Sequence, residues 1–211
     1  MTLDYRLNNA TFTGLELIFN ELIDSYLSDK VGVTKGFLGV ALAADLTANL
    51  HRLYDGDKLL SAGTGNKPLI NHNKQLRGDK IHWLDRLHKD VHEDAFFDLM
   101  DLFVAYLNQT CYAGITGYEF HYTLYEQGSF YGRHLDRFKN NGDRAYSMVM
   151  YLNKGWIKTD GGELRIYHLD KQQDIEPMNG NSIFFKSDEL EHEVLLTNKS
   201  RMSITGWLKT N

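Results

Sequence analysis

The stretch Tyr131-Gly132-Arg133-His134-Leu135-Asp136 decides how this chain is interpreted, because it places an imidazole and a carboxylate two residues apart. On an extended strand, side chains at positions i and i+2 point to the same face. A second imidazole, His192, follows far downstream and can complete a set of three ligands on one side of a metal ion. The spacing therefore predicts a metal site built from His134, Asp136 and His192.

Two histidines and one carboxylate that leave the opposite positions open are the facial triad of non-haem Fe(II) oxygenases. His-x-Asp alone is a weak signal, since pairs of ligand-type residues occur by chance. The alternative is a group of half-buried polar residues at the mouth of a barrel. The ordered set with Arg201 favours the metal site.

Arg201 lies in the strand-like run 201–208. A guanidinium buried in a barrel must be paired, and its planar fork binds a carboxylate through two hydrogen bonds. We expect it to anchor the far carboxylate of a keto diacid whose other end chelates the metal. The alternative is a salt bridge within the protein, for example to Glu119 or Glu163. Strand alternation places three further residues on the face of Arg201: Ser203, Thr205 and Trp207.

The composition is that of an ordinary globular protein, with 42% apolar and 24% charged residues in a chain of 211. A net charge of -5 gives no general attraction to nucleic acid or to an anionic membrane. The first residues lack the features of a signal peptide, and no apolar run approaches the roughly 20 residues that span a bilayer. We therefore expect a cytoplasmic protein that binds neither nucleic acid nor membrane.

Three segments have the period of amphipathic helices. The first begins at a capping box formed by Thr13 and Glu16 and ends near Gly32. The second covers about 40–54 and the third about 94–108. Residues 61–74 are rich in glycine and asparagine, and a loop of that length in a compact domain is typically functional or disordered.

From Gly117 onward the period changes to two, which predicts short strands. They cover about 118–125, 146–152, 163–168, 182–186, 193–196 and 201–208. Helices followed by many strands indicate an α+β fold with a double-stranded β-helix (jelly-roll, cupin-like) core and N-terminal helices packed against it. We expect one domain over 1–211, in which about 1–110 is mainly helical support and loop and about 111–211 forms the core.

Other ligand-type residues are interpreted as structural. His88 and His92 are four residues apart, but the glutamate between histidines of zinc proteases is absent, so we expect a solvated polar face. Cys111 is the sole cysteine, which excludes a disulfide framework, and we expect it to be a small buried residue. Tyr125 and Tyr151 lie in strands where a phenol can reach the barrel interior.

Beyond these patterns, the sequence resembles the 2-oxoglutarate- and Fe(II)-dependent prolyl hydroxylases, and most of all the oxygen-sensing hydroxylases of hypoxia-inducible factor and their bacterial relatives. The resemblance runs from about Gly32 to Trp207. It rests on these segments in family order: Leu76-Arg77-Gly78-Asp79-Lys80-Ile81-His82-Trp83, the His134 stretch, Tyr151-Leu152-Asn153-Lys154-Gly155-Trp156, Gly161-Gly162-Glu163-Leu164-Arg165-Ile166, Ile175-Glu176-Pro177 and His192-Glu193-Val194.

The resemblance implies a role for each matching position. His134, Asp136 and His192 would bind iron, Arg201 and Tyr151 the distal carboxylate of 2-oxoglutarate, and Tyr125 would lie near its chelating end. The positions implied near the peptide entrance are Arg77, Asp79, Tyr131, Arg144 and Trp207, with Asp79 and Arg144 paired. Residues 61–74 would be the loop that closes over a peptide.

The implied reaction is hydroxylation of a prolyl residue in a protein, with Fe(II), 2-oxoglutarate, O2 and ascorbate as cofactors and cosubstrates. The implied substrate is elongation factor Tu in a bacterium or hypoxia-inducible factor in an animal, and the expected enzyme is a monomer. Two alternatives stay open. One is the same chemistry on a free amino acid, a small molecule or an alkylated base, and the other is a non-catalytic cupin-like binding module.

Overall fold

The computed structural model describes residues 9–63, 77–136 and 143–210, and it leaves the side chains of residues 9–12 undescribed. Its helices are α1 (Asn9–Asp29), α2 (Val40–Asp55) and α3 (Val91–Thr110). Its strands are β1 (Val31–Lys35), β2 (Leu60–Ser61), β3 (Asp79–Trp83), β4 (Gly117–Tyr125), β5 (Tyr131–His134), β6 (Arg144–Tyr151), β7 (Leu164–Tyr167), β8 (Gln172–Ile175), β9 (Asn181–Lys186), β10 (His192–Val194) and β11 (Arg201–Lys209).

The strands form two antiparallel sheets. The larger sheet has the order β1-β9-β6-β11-β4-β3-β2, and the smaller has the order β5-β10-β7-β8. Strands adjacent in each sheet are mostly distant in sequence, as a double-stranded β-helix requires. The α+β jelly-roll core with helices packed against it is confirmed. The first half of the chain is not only helical support, because β1, β2 and β3 extend the larger sheet at both edges.

Side-chain alternation along the strands separates two apolar clusters. On β9, Phe184 packs toward the helices, whereas Phe185 belongs to the cluster between the sheets. The helices bury residues such as Leu22, Leu46 and Phe103 against the outer face of the larger sheet. That packing leaves the inner face of this sheet free to form one wall of a cavity, with the smaller sheet as the other wall.

The predicted helices are found, with one boundary error at each end of the first. Helix α1 begins at Asn9, so Thr13 lies inside the helix and is not its N-cap. The chain leaves the helix at Asp29, and Gly32 lies in β1, a strand that the sequence pattern did not predict. A Cβ atom at Gly32 would come within 2.5 Å of the Leu22 carbonyl oxygen. The glycine therefore serves the close approach of strand and helix, not a helix stop.

Two further expectations have different outcomes. Cys111 is exposed, because it caps the C-terminus of α3 where the chain turns away from the core, so the prediction of a buried cysteine is wrong. Residues 64–74 of the predicted 61–74 loop lie outside the described residues. Within the described ranges, no helix is long and apolar enough to cross a membrane.

Candidate active site

The three predicted metal ligands lie together at one end of the smaller sheet. His134 ends β5, Asp136 follows it after one residue, and His192 begins β10 directly opposite His134 in the strand register. The Asp136 carboxylate lies between the two rings, with Oδ1 3.5 Å from His134 Nε2 and Oδ2 3.6 Å from His192 Nε2. One ligand atom from each of the three residues lies within 4.8 Å of the others. Among the described residues, no other group of three or more such side chains is this close.

Backbone carbonyls fix the orientation of both rings. His134 Nδ1 lies 2.8 Å from the Gly132 carbonyl oxygen, and His192 Nδ1 lies 3.1 Å from the Leu190 carbonyl oxygen. A carbonyl only accepts, so each Nδ1 carries a proton and each Nε2 faces Asp136. Ring contacts hold the same geometry, since Tyr131 stacks on His134 at 3.7 Å and Phe185 meets His192 edge-on.

The charge states suit a divalent metal. Burial raises the pKa of Asp136, but the neighbouring His192 and His134 outweigh burial and hold that pKa well below its usual value. Burial and the neighbouring His192 lower the pKa of His134. Burial also lowers the pKa of His192, but the neighbouring Asp136 outweighs burial and raises it. A carboxylate and imidazole nitrogens are ligands that suit Fe(II). Two Nε2 atoms, at which a metal would take the place of a proton, and an ionised carboxylate on one side of an open cavity therefore fit the iron that the facial-triad spacing predicts.

The three ligands open into a cavity of about 990 Å³ between the sheets. The cavity lining contains nearly all of the residues that the sequence analysis singled out, namely Arg77, Asp79, Tyr125, Tyr131, Arg144, Arg201, Thr205 and Trp207. Tyr151 is fully buried beneath Arg201 and contacts it. The alternation predicted for β11 is confirmed for Arg201, Thr205 and Trp207.

Arg201 forms the floor of this cavity and is 2% exposed. Its Nε donates to the Gly162 carbonyl oxygen at 2.8 Å, and its Nη2 is 3.4 Å from the Tyr151 hydroxyl. The guanidinium carbon lies about 5 Å from the ring centres of Tyr125 (5.1 Å) and Tyr151 (5.0 Å). Within the described part of the chain, no carboxylate is within ion-pair distance of Arg201, and Glu119 pairs instead with Arg144 and Lys209.

Two tyrosines next to Arg201 remain neutral phenols. Burial raises the pKa of Tyr125 well above its usual value, against an opposing effect of Arg201, and burial also raises the pKa of Tyr151. A neutral phenol can donate a hydrogen bond to an anion. The floor of the cavity therefore combines one fixed positive charge with two hydroxyl groups.

The mouth of the cavity carries two arginines that already have partners. Arg77 binds Asp79 through Nε at 2.7 Å and Nη2 at 2.6 Å, and it lies 4.2 Å above the Tyr131 ring. Arg144 binds Glu119 through the same two nitrogens, at 2.9 and 2.8 Å. The expected pairing of Asp79 with Arg144 is therefore wrong, because each group has a nearer partner of opposite charge.

Arg144 also stacks over Trp207, with its guanidinium carbon 3.4 Å from the ring centre. Trp207 packs against His121 and Trp83, two cavity residues that the sequence analysis did not select. Position in the strand is the signal that finds one of them, since His121 alternates with Thr123 and Tyr125 on the cavity face of β4.

Ser147 and Ser187 are two further neighbours of the site that sequence reasoning missed. Ser147 bonds to Asp136 at 2.6 Å and to Ser187 at 2.9 Å. Strand alternation from Tyr151 could have found Ser147, but nothing in the sequence links it to Ser187. The two histidines that are four residues apart, His88 and His92, have separate partners. His88 contacts Glu93, and His92 contacts Asp45.

The comparisons with known proteins agree with this geometry. Residues 120–209 match the family model described as the 2OG-Fe(II) oxygenase superfamily. A PKHD-type hydroxylase of Picosynechococcus sp. is 31% identical over 90 residues, which is 42% of this chain and 41% of that protein. The match thus spans less than half the length of this curated relative.

Two solved structures are similar over nearly the whole chain. A prolyl-4-hydroxylase of Pseudomonas putida is 34% identical, with a TM-score of 0.81, and the match covers 92% of this chain and 99% of that one. A prolyl hydroxylase of Trichoplax adhaerens, in complex with a peptide fragment of the hypoxia inducible factor oxygen degradation domain, has a TM-score of 0.85 at 23% identity. That match covers 98% of this chain and 96% of the Trichoplax chain, and at this identity it shows the fold alone.

These matches and the His134, Asp136 and His192 site lead to one conclusion. The chain belongs to the 2OG-Fe(II) oxygenase superfamily, whose members use Fe(II), 2-oxoglutarate and O2.

Proposed function

We propose that this protein is an Fe(II)- and 2-oxoglutarate-dependent dioxygenase that hydroxylates a prolyl residue in a protein substrate. The observation that carries the proposal is Arg201, a buried guanidinium without a carboxylate partner in the described chain, on the floor of the cavity that opens onto the His134, Asp136 and His192 ligand set. A keto diacid bound at the metal supplies the missing carboxylate.

His134, Asp136 and His192 would hold the iron on one side and leave the cavity side open. The iron, when bound with 2-oxoglutarate and O2, supplies the oxidation: the keto acid loses CO2 and becomes succinate with one oxygen atom, and the other oxygen enters a C–H bond of the substrate. The chain itself provides position, charge and exclusion of water.

Arg201 and Tyr151 would bind the distal carboxylate of 2-oxoglutarate. Tyr125 would donate a hydrogen bond from its hydroxyl to 2-oxoglutarate near the chelating end. Arg201 Nε is held by the Gly162 carbonyl, so the fork is fixed before the ligand arrives. Two parallel hydrogen bonds to a carboxylate need this planar group, and a lysine could match only the charge. Burial strengthens these bonds because water does not compete for the same atoms.

The choice of a prolyl substrate rests on two solved structures that are similar to this chain. The Pseudomonas putida relative is a prolyl-4-hydroxylase, and the Trichoplax relative was solved with a peptide. The mouth residues Arg77, Asp79, Tyr131, Arg144 and Trp207 would contact an extended peptide at the cavity entrance. The substrate would be elongation factor Tu if the source is bacterial and hypoxia-inducible factor if it is animal. Ascorbate would keep the iron reduced.

The first experiment measures succinate formed from 2-oxoglutarate with Fe(II) and O2. The wild-type protein should form succinate, His134→Ala should form none, and His92→Ala, a surface histidine paired with Asp45, should match the wild type. If wild type and His134→Ala form succinate at the same rate, or if neither forms it, the dioxygenase assignment is contradicted. That result would favour a binding module.

A second experiment identifies the substrate. Lysates from cells with and without the gene, and synthetic proline-containing peptides, are examined by mass spectrometry for the gain of one oxygen atom. The gain should appear on a proline and should require both Fe(II) and 2-oxoglutarate. A gain on a free amino acid, a small molecule or an alkylated base instead would keep the chemistry and remove the prolyl assignment.

A further inference from the structure

The Asp136 carboxylate is held by two buried serines from the larger sheet. The Ser147 hydroxyl lies 2.6 Å from Asp136 Oδ2, and the Ser187 hydroxyl lies 2.9 Å from that of Ser147. Ser147 and Ser187 are 1% and 0% exposed. No role is assigned to either residue by the metal-ligand spacing.

The direction of the two hydrogen bonds follows from the chemistry of the groups. An ionised carboxylate only accepts, so the proton in the Ser147–Asp136 bond belongs to Ser147. Ser147 has no second proton, and the bond to Ser187 must therefore use the Ser187 proton. The result is a directed chain, Ser187 to Ser147 to Asp136, in which each bond strengthens the next.

The position of the serines explains why this chain matters for Asp136. Asp136 follows β5 of the smaller sheet, whereas Ser147 lies in β6 and Ser187 directly follows β9, both in the larger sheet. The contact is thus a hydrogen bond that joins the two walls of the cavity. It occupies one oxygen of the carboxylate and restrains rotation of the carboxylate group.

We infer that Ser147 and Ser187 are positioning residues for the metal centre, which hold Oδ2 of Asp136 and present Oδ1 to the metal. A carboxylate held in this way would bind a metal through Oδ1 and would leave the cavity side of the site to 2-oxoglutarate and O2. Groups that orient a metal ligand are typically worth about 10- to 100-fold in metal affinity when they are removed. The inference rests on the metal centre of the proposed function.

The test compares metal binding by purified variants without turnover. Mn(II) affinity is measured by titration, and the Co(II) complex with 2-oxoglutarate is recorded by visible absorption, which reports coordination number. Ser147→Ala should bind Mn(II) about tenfold more weakly and should show a changed Co(II) spectrum. Ser147→Thr keeps the hydroxyl and should restore both, and Ser187→Ala should lose about threefold, since it removes only the supporting donor.

A matched control comes from the same sheet. Ser182 lies in β9 and is 1% exposed, on the alternate face from Ser187 in strand parity, so Ser182→Ala should leave Mn(II) affinity and the Co(II) spectrum unchanged. Wild-type affinity and spectrum in both Ser147→Ala and Ser187→Ala would overturn the positioning role. If Mn(II) binds wild type and His134→Ala equally, the metal centre itself fails, and the two failures are thereby distinguished.

Discussion

The floor and the mouth of the cavity use arginine in opposite ways. At the mouth, Arg77 and Arg144 each bind a carboxylate of the protein, Asp79 and Glu119. At the floor, Arg201 is more deeply buried, yet its partners are a carbonyl oxygen and a phenol. A buried charge normally requires an opposite charge. The difference teaches that the arginine charges at the mouth are neutralised by carboxylates of the protein, whereas the charge of Arg201 at the floor is available to neutralise an anionic ligand.

The largest expected effect comes from removing the charge on the floor. Arg201→Ala should weaken 2-oxoglutarate binding by at least about 30-fold, because loss of one partner of a buried charge pair costs about 2–5 kcal/mol. Isothermal titration of 2-oxoglutarate into the Mn(II)-loaded protein checks this. Arg165→Ala, which removes a surface arginine paired with Asp174, is the control and should bind normally. If Arg201→Ala binds 2-oxoglutarate as tightly as the wild type, the proposed difference between the floor and the mouth of the cavity is wrong.

The next effect concerns the strand that joins the two regions. Strand β11 carries Arg201 at one end and Trp207 near the other, and Gly206 directly precedes Trp207. A Cβ atom on Gly206 would lie 2.2 Å from the Glu119 carbonyl oxygen and 2.2 Å from Phe120 Cδ1. Gly206→Ala should therefore lower the free energy of unfolding by about 3 kcal/mol, the upper part of the usual range for overpacking.

Urea unfolding measures the effect of Gly206→Ala, and Gly117→Ala is the matched control. Gly117 pairs with Lys209 in the same two-strand ladder, and a Cβ atom there would meet nothing within 4 Å. The control should change the free energy of unfolding by less than about 0.5 kcal/mol. Equal losses in both variants would mean that contact with β4 is not what requires a glycine at position 206.

A third effect depends on pH and concerns His121, behind the mouth. Burial lowers the pKa of His121 to about 4; Asp79 opposes this shift, and Arg77 and Arg144 add to it. The unfolded chain binds this proton near pH 6.5 and the folded chain does not, so stability falls as the pH drops from about 6.5 toward 4. Between pH 7 and pH 5 this single group should cost about 2 kcal/mol of unfolding free energy.

Urea unfolding of wild type and His121→Gln at pH 7 and pH 5 isolates that contribution. The wild type should lose about 2 kcal/mol more than the variant over this interval, because glutamine does not titrate. Parallel losses in the two proteins would show that His121 accepts a proton in the folded state and that the mouth is more polar than its packing indicates.

The smallest effect is expected at the paired arginines of the mouth. Arg144→Ala leaves Glu119 with a second partner, Lys209, so the remaining carboxylate stays neutralised. We expect a loss of stability of about 1 kcal/mol and a dissociation constant for 2-oxoglutarate within about twofold of wild type. The same titration as for Arg201→Ala measures it. A large loss of 2-oxoglutarate affinity would show that the mouth of the cavity contributes to 2-oxoglutarate binding at its floor.

Particular residues show how far local patterns reach. The period of two in 201–208 placed Arg201, Thr205 and Trp207 on one face, and the structure has them in the cavity lining. The same kind of reasoning did not find β1, because Val31–Lys35 follows a helix without a clear break. The resemblance to a family implied Asp79 as the partner of Arg144, and that pairing is wrong. Charge pairing depends on which strands are neighbours, and the sheet order brings Glu119 to Arg144.

The sequence by itself determined the ligand types, the helical and strand periods, the faces on which alternating residues lie and the resemblance to a family. These are local properties, or properties of residues in fixed order. Only the tertiary structure decided that Arg201 has no carboxylate partner in the described chain, that Arg144 pairs with Glu119, and that two serines from another sheet hold Asp136. The physical reason is that such contacts join residues far apart in sequence, which the strand order within a sheet and the packing of the two sheets bring within hydrogen-bonding distance.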